Sequence, residues 1–455
     1  MRLPLLLVIA AAMLLGGCQR AKSHPIEVGS YPGRNILVIS VDTLRADRLG
    51  AYGYARRTSP AIDALAAQAL TFDLAFAPRG MTWPSLATML TSLSPTTTNV
   101  RWNGQYLPRR VLTIAQLLQK AGYRAGAFLG GSICHMAQGI GTFDRLHCGD
   151  DAEITSKAID FLVANNAQPF FGWLHLMAPH APYNPPAEHD KFSAPDYHGP
   201  VGRDRFSLDG LVTSQQALTD ADRKQLDALY DGEVLAADAQ VSRVLKALDE
   251  STVRRDTIVV FTADHGEDLY EHNRYLYHAC SIYDSSLRIP MILALPDGAG
   301  AGRRYPEVVE LIDLAPTLLE LVGVERPSFF EGKSMLARLA GQHTGEATAS
   351  SEWYDPALRK SLQSVRTESW RYVSNPEGLT PNCVPAGNYY KVAKEELYDH
   401  RSDPREEVNV AADHPDLAKK FASLALSRRA SAADDAPLPI DEKLEGELRS
   451  LGYLE

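Results

Sequence analysis

Asn35-Ile36-Leu37-Val38-Ile39-Ser40-Val41-Asp42 decides the fold. The run is almost continuously apolar and ends in a carboxylate. A strand with one wet face would alternate polar and apolar residues. This one does not, so it reads as a strand buried on both faces of a parallel sheet. Asp42 then falls at the C-terminal end of the strand, where open α/β sheets place their sites. The plain alternative for Asp42 is a solvated loop acid. Two further stretches repeat the pattern. Thr257 to Ala263 is a second apolar run, followed by Asp264-His265-Gly266-Glu267. Phe170 to Met177 is a third, with His175 near its end and His180 just beyond.

Between these runs lie segments of helical period, and the alternation favours an α/β sheet. Helices are expected over 59–69, 112–121, 153–165, 221–249 and 312–322, and strands over 72–76, 123–129 and 289–294. Asn184 to Ser214 is long, polar and Pro-containing, and reads as a functional or mobile loop. A composition change near 340–350 precedes Ser364-Val365-Arg366 and Trp370-Arg371-Tyr372-Val373, which suggest short antiparallel strands. The chain after about Pro415 reads as helix. The expected organisation is a segment 1–18, a tether 19–33, a catalytic domain 34–345 and a smaller C-terminal α+β subdomain 346–455.

Ala77-Pro78-Arg79-Gly80-Met81-Thr82-Trp83-Pro84-Ser85-Leu86 supplies a hydroxyl at the start of a helix. Pro suits a first helical turn, and Leu86, Met89, Leu90 and Leu93 recur at helical spacing. Thr82 therefore lies just before free amide donors and the positive end of a helix dipole. That position suits a hydroxyl that must ionise while facing an anion. The competing reading is a simple N-cap.

The chain has 455 residues and a formal net charge of −10. With no long basic block, nucleic acid is not expected as a partner. Arg2, an apolar run to Leu15 and Leu15-Gly16-Gly17-Cys18 form a targeting segment too short to span a membrane comfortably. Of the five cysteines, Cys134, Cys148, Cys280 and Cys383 then remain. An exported compartment permits disulfides, and sequence leaves all pairings open. The absence of CxxC argues against a thiolate zinc site.

Asp42, Asp264, His265 and the Thr82 hydroxyl can make one metal site. Carboxylate oxygen and imidazole nitrogen suit zinc, manganese, calcium or another divalent ion. A metal beside Thr82 would lower its pKa and prepare it to attack phosphorus or sulfur.

Asn35 to Gly53, Thr82 to Leu90, Val100 to Gly104, His175 to Tyr183 and Phe261 to Asp268 resemble the sulfatase family, within the alkaline phosphatase superfamily. Glu396-Leu397-Tyr398-Asp399, Asp403-Pro404 and Leu451-Gly452-Tyr453-Leu454 resemble its C-terminal region. The resemblance implies an alkaline-phosphatase-like α/β sandwich, its central mostly parallel sheet flanked by helices. It implies a divalent metal ion held by Asp42, Thr82, Asp264 and His265. It further implies substrate contacts from Asn103, His175 and Arg79, with Arg45 a weaker candidate, and a catalytic role for His180 and His278 at the ester oxygens. Leu15 to Cys18 resemble a bacterial lipoprotein signal, implying lipidation at Cys18 and a periplasm-facing membrane anchor at the cell envelope.

The chain departs from the family at one place that matters. Sulfatases carry Cys or Ser in C/S-x-P-S-R and convert it to formylglycine. Here the motif reads Thr82-Trp83-Pro84-Ser85-Leu86, and Thr43 replaces the usual second Asp. The remaining set is similar to that of superfamily phosphodiesterases and phosphoethanolamine or glycerol-phosphate transferases that use Thr directly. The leading expectation is a hydrolase of phosphate esters acting on an anionic lipid- or glycan-linked substrate. The alternatives are a sulfuric ester hydrolase, a transferase, and an inactive module that binds anionic glycans.

Overall fold

In the computed structural model, the described residues are 26–108, 110–131, 133–134, 143–164, 168–214, 217–273, 276–342, 345–381 and 391–430. The targeting segment with Cys18, and also Cys383 and Leu451 to Leu454, lie outside them. The tether expectation is corrected from Ile26 onward. Ile26 and Tyr31 are buried, and Tyr31 donates its N–H to Leu321 O at 2.9 Å.

The centre is an eight-stranded sheet, ordered β10-β2-β9-β6-β1-β5-β3-β4. Its strands are β1 (Asn35–Val41), β2 (Leu70–Phe76), β3 (Arg124–Gly130), β4 (Arg145–Gly149), β5 (Phe170–Leu176), β6 (Thr257–Ala263), β9 (Arg288–Ala294) and β10 (Arg304–Glu310). β9 alone runs against its neighbours, and every other pairing is parallel. All seven residues of β1, β5 and β6 are buried, as unbroken apolar runs require. Register aligns the three strands, pairing Val41 with both Leu176 and Ala263. Asp42, His175 and Asp264 thus emerge at one edge.

Asn184 to Ser214 is not structureless, since a helix occupies Arg205–Ser214. The expected helix at 221–249 is found over Asp220–Asp249, with Thr219 capping it in a reciprocal box. Among the described residues, no helix is long and apolar enough to cross a membrane. Cys134 and Cys148 are paired, with Cα atoms 6.0 Å apart, and Cys280 is disulfide-bonded.

A short ribbon of β7 (Asp268–Leu269) and β8 (Leu276–Tyr277) follows β6. The C-terminal part builds a separate antiparallel sheet of β11 (Ala349–Asp355), β12 (Lys360–Arg366), β13 (Trp370–Ser374) and β14 (Glu395–Asp399). One face packs Val365, Tyr372 and Leu397 against Ala418, Phe421 and Ala425 of the helix Pro415–Ala430. The other packs Trp353, Leu362 and Val373 against Phe76 and Val308 of the large sheet. β11 also touches the turn before Thr82. Ser351 Oγ donates to Ala77 O at 2.7 Å, and Glu352 N to Pro78 O at 2.9 Å.

Candidate active site

Thr82 is the first residue of the helix Thr82–Thr91, and Met81 is its N-cap, with no side-chain capping bond. The N-cap reading of Thr82 is therefore corrected. Its hydroxyl lies 3.3 Å from His265 Nε2 instead. Trp83 N–H is capped from outside the helix, by Asn103 Oδ1 at 2.9 Å. That bond fixes the Asn103 amide and leaves its NH₂ as a donor.

Asp42, Asp264 and His265 offer ligand atoms within 4.8 Å of one another, all buried. His265 Nε2 lies 3.8 Å from Asp42 Oδ1 and 3.5 Å from Asp264 Oδ2. The local backbone sets these groups. His265 Nδ1 meets Gly266 O at 2.8 Å, which places the proton on Nδ1 and bares Nε2. Asp264 Oδ1 accepts from His265 N at 2.7 Å and Thr43 N at 3.1 Å. Thr43 reaches that position only with φ of 57°, a costly conformation for a β-branched residue. Tyr230 holds it there, donating its hydroxyl to Thr43 O at 2.7 Å.

The electrostatics fit a cation. Asp42 Oδ1 and Asp264 Oδ2 are buried without hydrogen-bond partners among the described residues, an expensive state for carboxylate oxygens. Burial, with Asp42 as a like charge, pushes the Asp264 carboxyl well up. Burial opposes ionisation of Asp42 too, but His180, His175 and His265 hold its carboxyl low. Two adjacent acids pulled apart in this way share one proton unless a cation replaces it. Burial drives His265 down to about 3, so the ring is neutral, as a metal ligand must be. The donor set of two carboxylates and one imidazole, with a hydroxyl alongside, suits a divalent ion.

His180 and His278 both reach this site. Their ring centroids are 4.9 Å apart, and His278 is 4.7 Å from His265. His278 Nδ1 lies 3.2 Å from Glu267 Oε1. Glu267 is fully buried, and burial pushes its carboxyl up to about 8. Two of the expected substrate contacts, His175 and Arg79, are buried. His175 has one ring nitrogen on Ser40 Oγ at 2.7 Å and the other facing Asp42 Oδ2 at 3.8 Å. The ring is fully buried beside Asp42 and helps to hold its carboxyl low. Arg79 is buried, donates to Tyr354 O at 3.1 Å and lies 3.9 Å from Glu352 Oε1. It braces the turn against β11. Arg45 is likewise occupied, by Asp47, Glu271 and Glu267 O.

Sequence reasoning missed Thr43, Glu267 and Glu352 as parts of this assembly. Glu267 stood inside the quoted Asp264-His265-Gly266-Glu267 stretch, so its signal was present. Glu352 meets Arg101 across 251 residues of sequence, and no local pattern announces that.

Comparison with known proteins agrees with the fold. The sulfatase family model matches residues 34–324, and an N-sulphoglucosamine sulphohydrolase C-terminal model matches 271–427. The chain belongs to the sulfatase family and is an ester hydrolase by that membership. It is 24% identical to arylsulfatase K of Mus musculus, over 92% of this chain and 83% of that one. It is 27% identical to a Delta 4,5-hexuronate-2-O-sulfatase of Bacteroides thetaiotaomicron, covering 88% and 87% of the two chains. Its fold is similar to that of a phosphonate monoester hydrolase of Agrobacterium radiobacter, with a TM-score of 0.71, 22% identity, and 88% and 96% coverage.

Proposed function

We propose that this chain is a metal-dependent hydrolase of a phosphorus ester carried on an anionic glycan, with unmodified Thr82 as nucleophile. The observation that carries the reading is the Thr82 hydroxyl, 3.3 Å from the bared Nε2 of His265 at a helix N-terminus. A divalent ion held by Asp42, Asp264 and His265 would supply charge neutralisation and acidify that hydroxyl.

Thr82 Oγ gives up its proton to solvent and attacks phosphorus, and the bond to the leaving oxygen breaks. That oxygen takes a proton from His180, because burial drives His278 down to about 3 and leaves its ring neutral. The Asn103 NH₂ donates to an equatorial oxygen, where charge develops. Water then attacks phosphorus in the phospho-Thr82 ester and frees the hydroxyl. Glu267 sets the His278 ring through Nδ1.

A sulfate ester is the second reading, favoured by the sulfatase-family match over 34–324 and by the hexuronate sulfatase relative. Phosphorus is preferred because Thr82 lacks the Cys or Ser needed for an aldehyde-hydrate route of release, and a phosphonate monoester hydrolase shares the fold. Aryl phosphodiester, phosphomonoester, phosphonate monoester and sulfate should be compared by kcat/KM. A phosphorus ester should rank first, and a wide lead for sulfate would reverse the assignment.

The residues before Cys18 support an envelope location by lipid anchoring. Palmitate-analogue labelling should be lost in Cys18→Ser, and equal labelling of both proteins would remove the anchor.

A further inference from the structure

Tyr106 is 60% exposed, yet it is not loose. Its ring lies 5.5 Å from that of Trp83, the residue directly after Thr82. The loop that presents it is braced at several points. Gln105 Oε1 accepts from Arg101 N at 2.7 Å and Trp102 N at 2.9 Å. Arg101 Nε and Nη2 each reach Glu352 at 3.1 Å. Leu107 is buried in the main core, and Asn103 is tied to Trp83 N. The loop that carries this ring is ordered by these contacts and the ring itself by Trp83, so a ligand meeting it supplies less of the ordering.

We propose that Tyr106, backed by Trp83, is a stacking subsite for the sugar ring of the esterified alcohol. This deepens the reading of a glycan-borne ester and rests on it. The surroundings choose the occupant. A lipid chain would call for a contiguous apolar patch, whereas Tyr106 is flanked by Asn103, Gly104 and Gln105 in a polar loop. A pyranose has an apolar C–H face for the ring and hydroxyls around its edge for those polar neighbours. A flat amphipathic side chain with a polar tip suits such a ligand. Asn103, on the same loop, would hold the charged ester while Tyr106 holds the ring.

The test uses the full-length enzyme with methyl pyranoside phosphate and methyl pyranoside sulfate, each against an acyclic alkyl ester of equal charge. Binding is followed by calorimetry and by saturation transfer to the ring protons. Tyr106→Ala should weaken the pyranoside esters about tenfold and leave the acyclic ones unchanged, while Tyr106→Phe stays within about twofold of wild type. Equal weakening of both ligand types, or of neither, overturns the subsite. Ring-selective binding without turnover upholds the subsite and overturns the hydrolase reading. Turnover without ring selectivity does the reverse.

Discussion

Among the described residues, two groups of three side chains are close enough to hold a metal: Asp42, Asp264 and His265, and Asp284, His400 and Glu406. Each offers two carboxylates and one imidazole, and they differ in what surrounds them. In the second, Arg371 pairs with both Asp284 and Glu406. Arg366 Nε lies 3.2 Å from Asp284, and His400 Nε2 lies 2.9 Å from Glu406. Although burial opposes it, Arg366 and Arg371 hold Asp284 well below the ordinary carboxylate range. That cluster carries its own cations and braces the C-terminal sheet. In the first cluster no Arg or Lys pairs with either acid among the described residues, and two carboxylate oxygens stay bare. Ligand types alone do not tell the two clusters apart. The missing positive charge does.

The largest expected effect breaks the first cluster. Asp264→Asn should lower metal content, read by elemental analysis, and cut kcat/KM by about a thousandfold or more. Metal uptake should release a proton, because Asp264 is pushed up in the absence of a cation. Affinity should therefore rise with pH. Calorimetry in two buffers of different ionisation enthalpy checks this, and full occupancy in Asp264→Asn would contradict the ligand assignment.

Next comes the second cluster. Arg371→Met removes the cation that Asp284 and Glu406 share in the buried cluster and should cost about 3–5 kcal/mol in denaturant unfolding. At temperatures where it stays folded, its metal content should match wild type. Loss of metal with retained stability would exchange the roles given to the two clusters.

The smallest effect is at the rim. Glu233 Oε1 accepts from Asn184 N at 2.8 Å, just after the segment carrying His180. Burial raises its carboxyl from 4.5 to about 7. A raised acid binds its proton more tightly in the folded state. Its contribution to stability is thus complete below the unfolded value and is lost as pH climbs through about 7. Glu233→Gln should flatten the pH dependence of unfolding by about 1–2 kcal/mol over that window. An unchanged slope would locate the titration elsewhere.

The contrast also explains what could be read from the sequence. β1, β5 and β6 were legible because burial on both faces leaves an unbroken apolar signature. β4 was not, since edge position lets Arg145 and His147 enter it. β10 carries Pro306, which an edge strand tolerates and which reads as a break. The reversed direction of β9 has no local signal at all. Asp42, Asp264 and His265 were visible as the ends of legible strands. The charge balance that separates them from Asp284, His400 and Glu406 depends on Arg366 and Arg371, far away in the chain.

In the proposed reaction the Thr82 hydroxyl, unmodified, forms the covalent intermediate. Acid quenching of the enzyme during turnover of an aryl phosphodiester, followed by peptide mass spectrometry, tests it directly. A phosphoryl adduct should appear on Thr82 during turnover, with plain threonine at rest and no adduct in Thr82→Ala. An aldehyde at position 82, or turnover by Thr82→Ala, would contradict it.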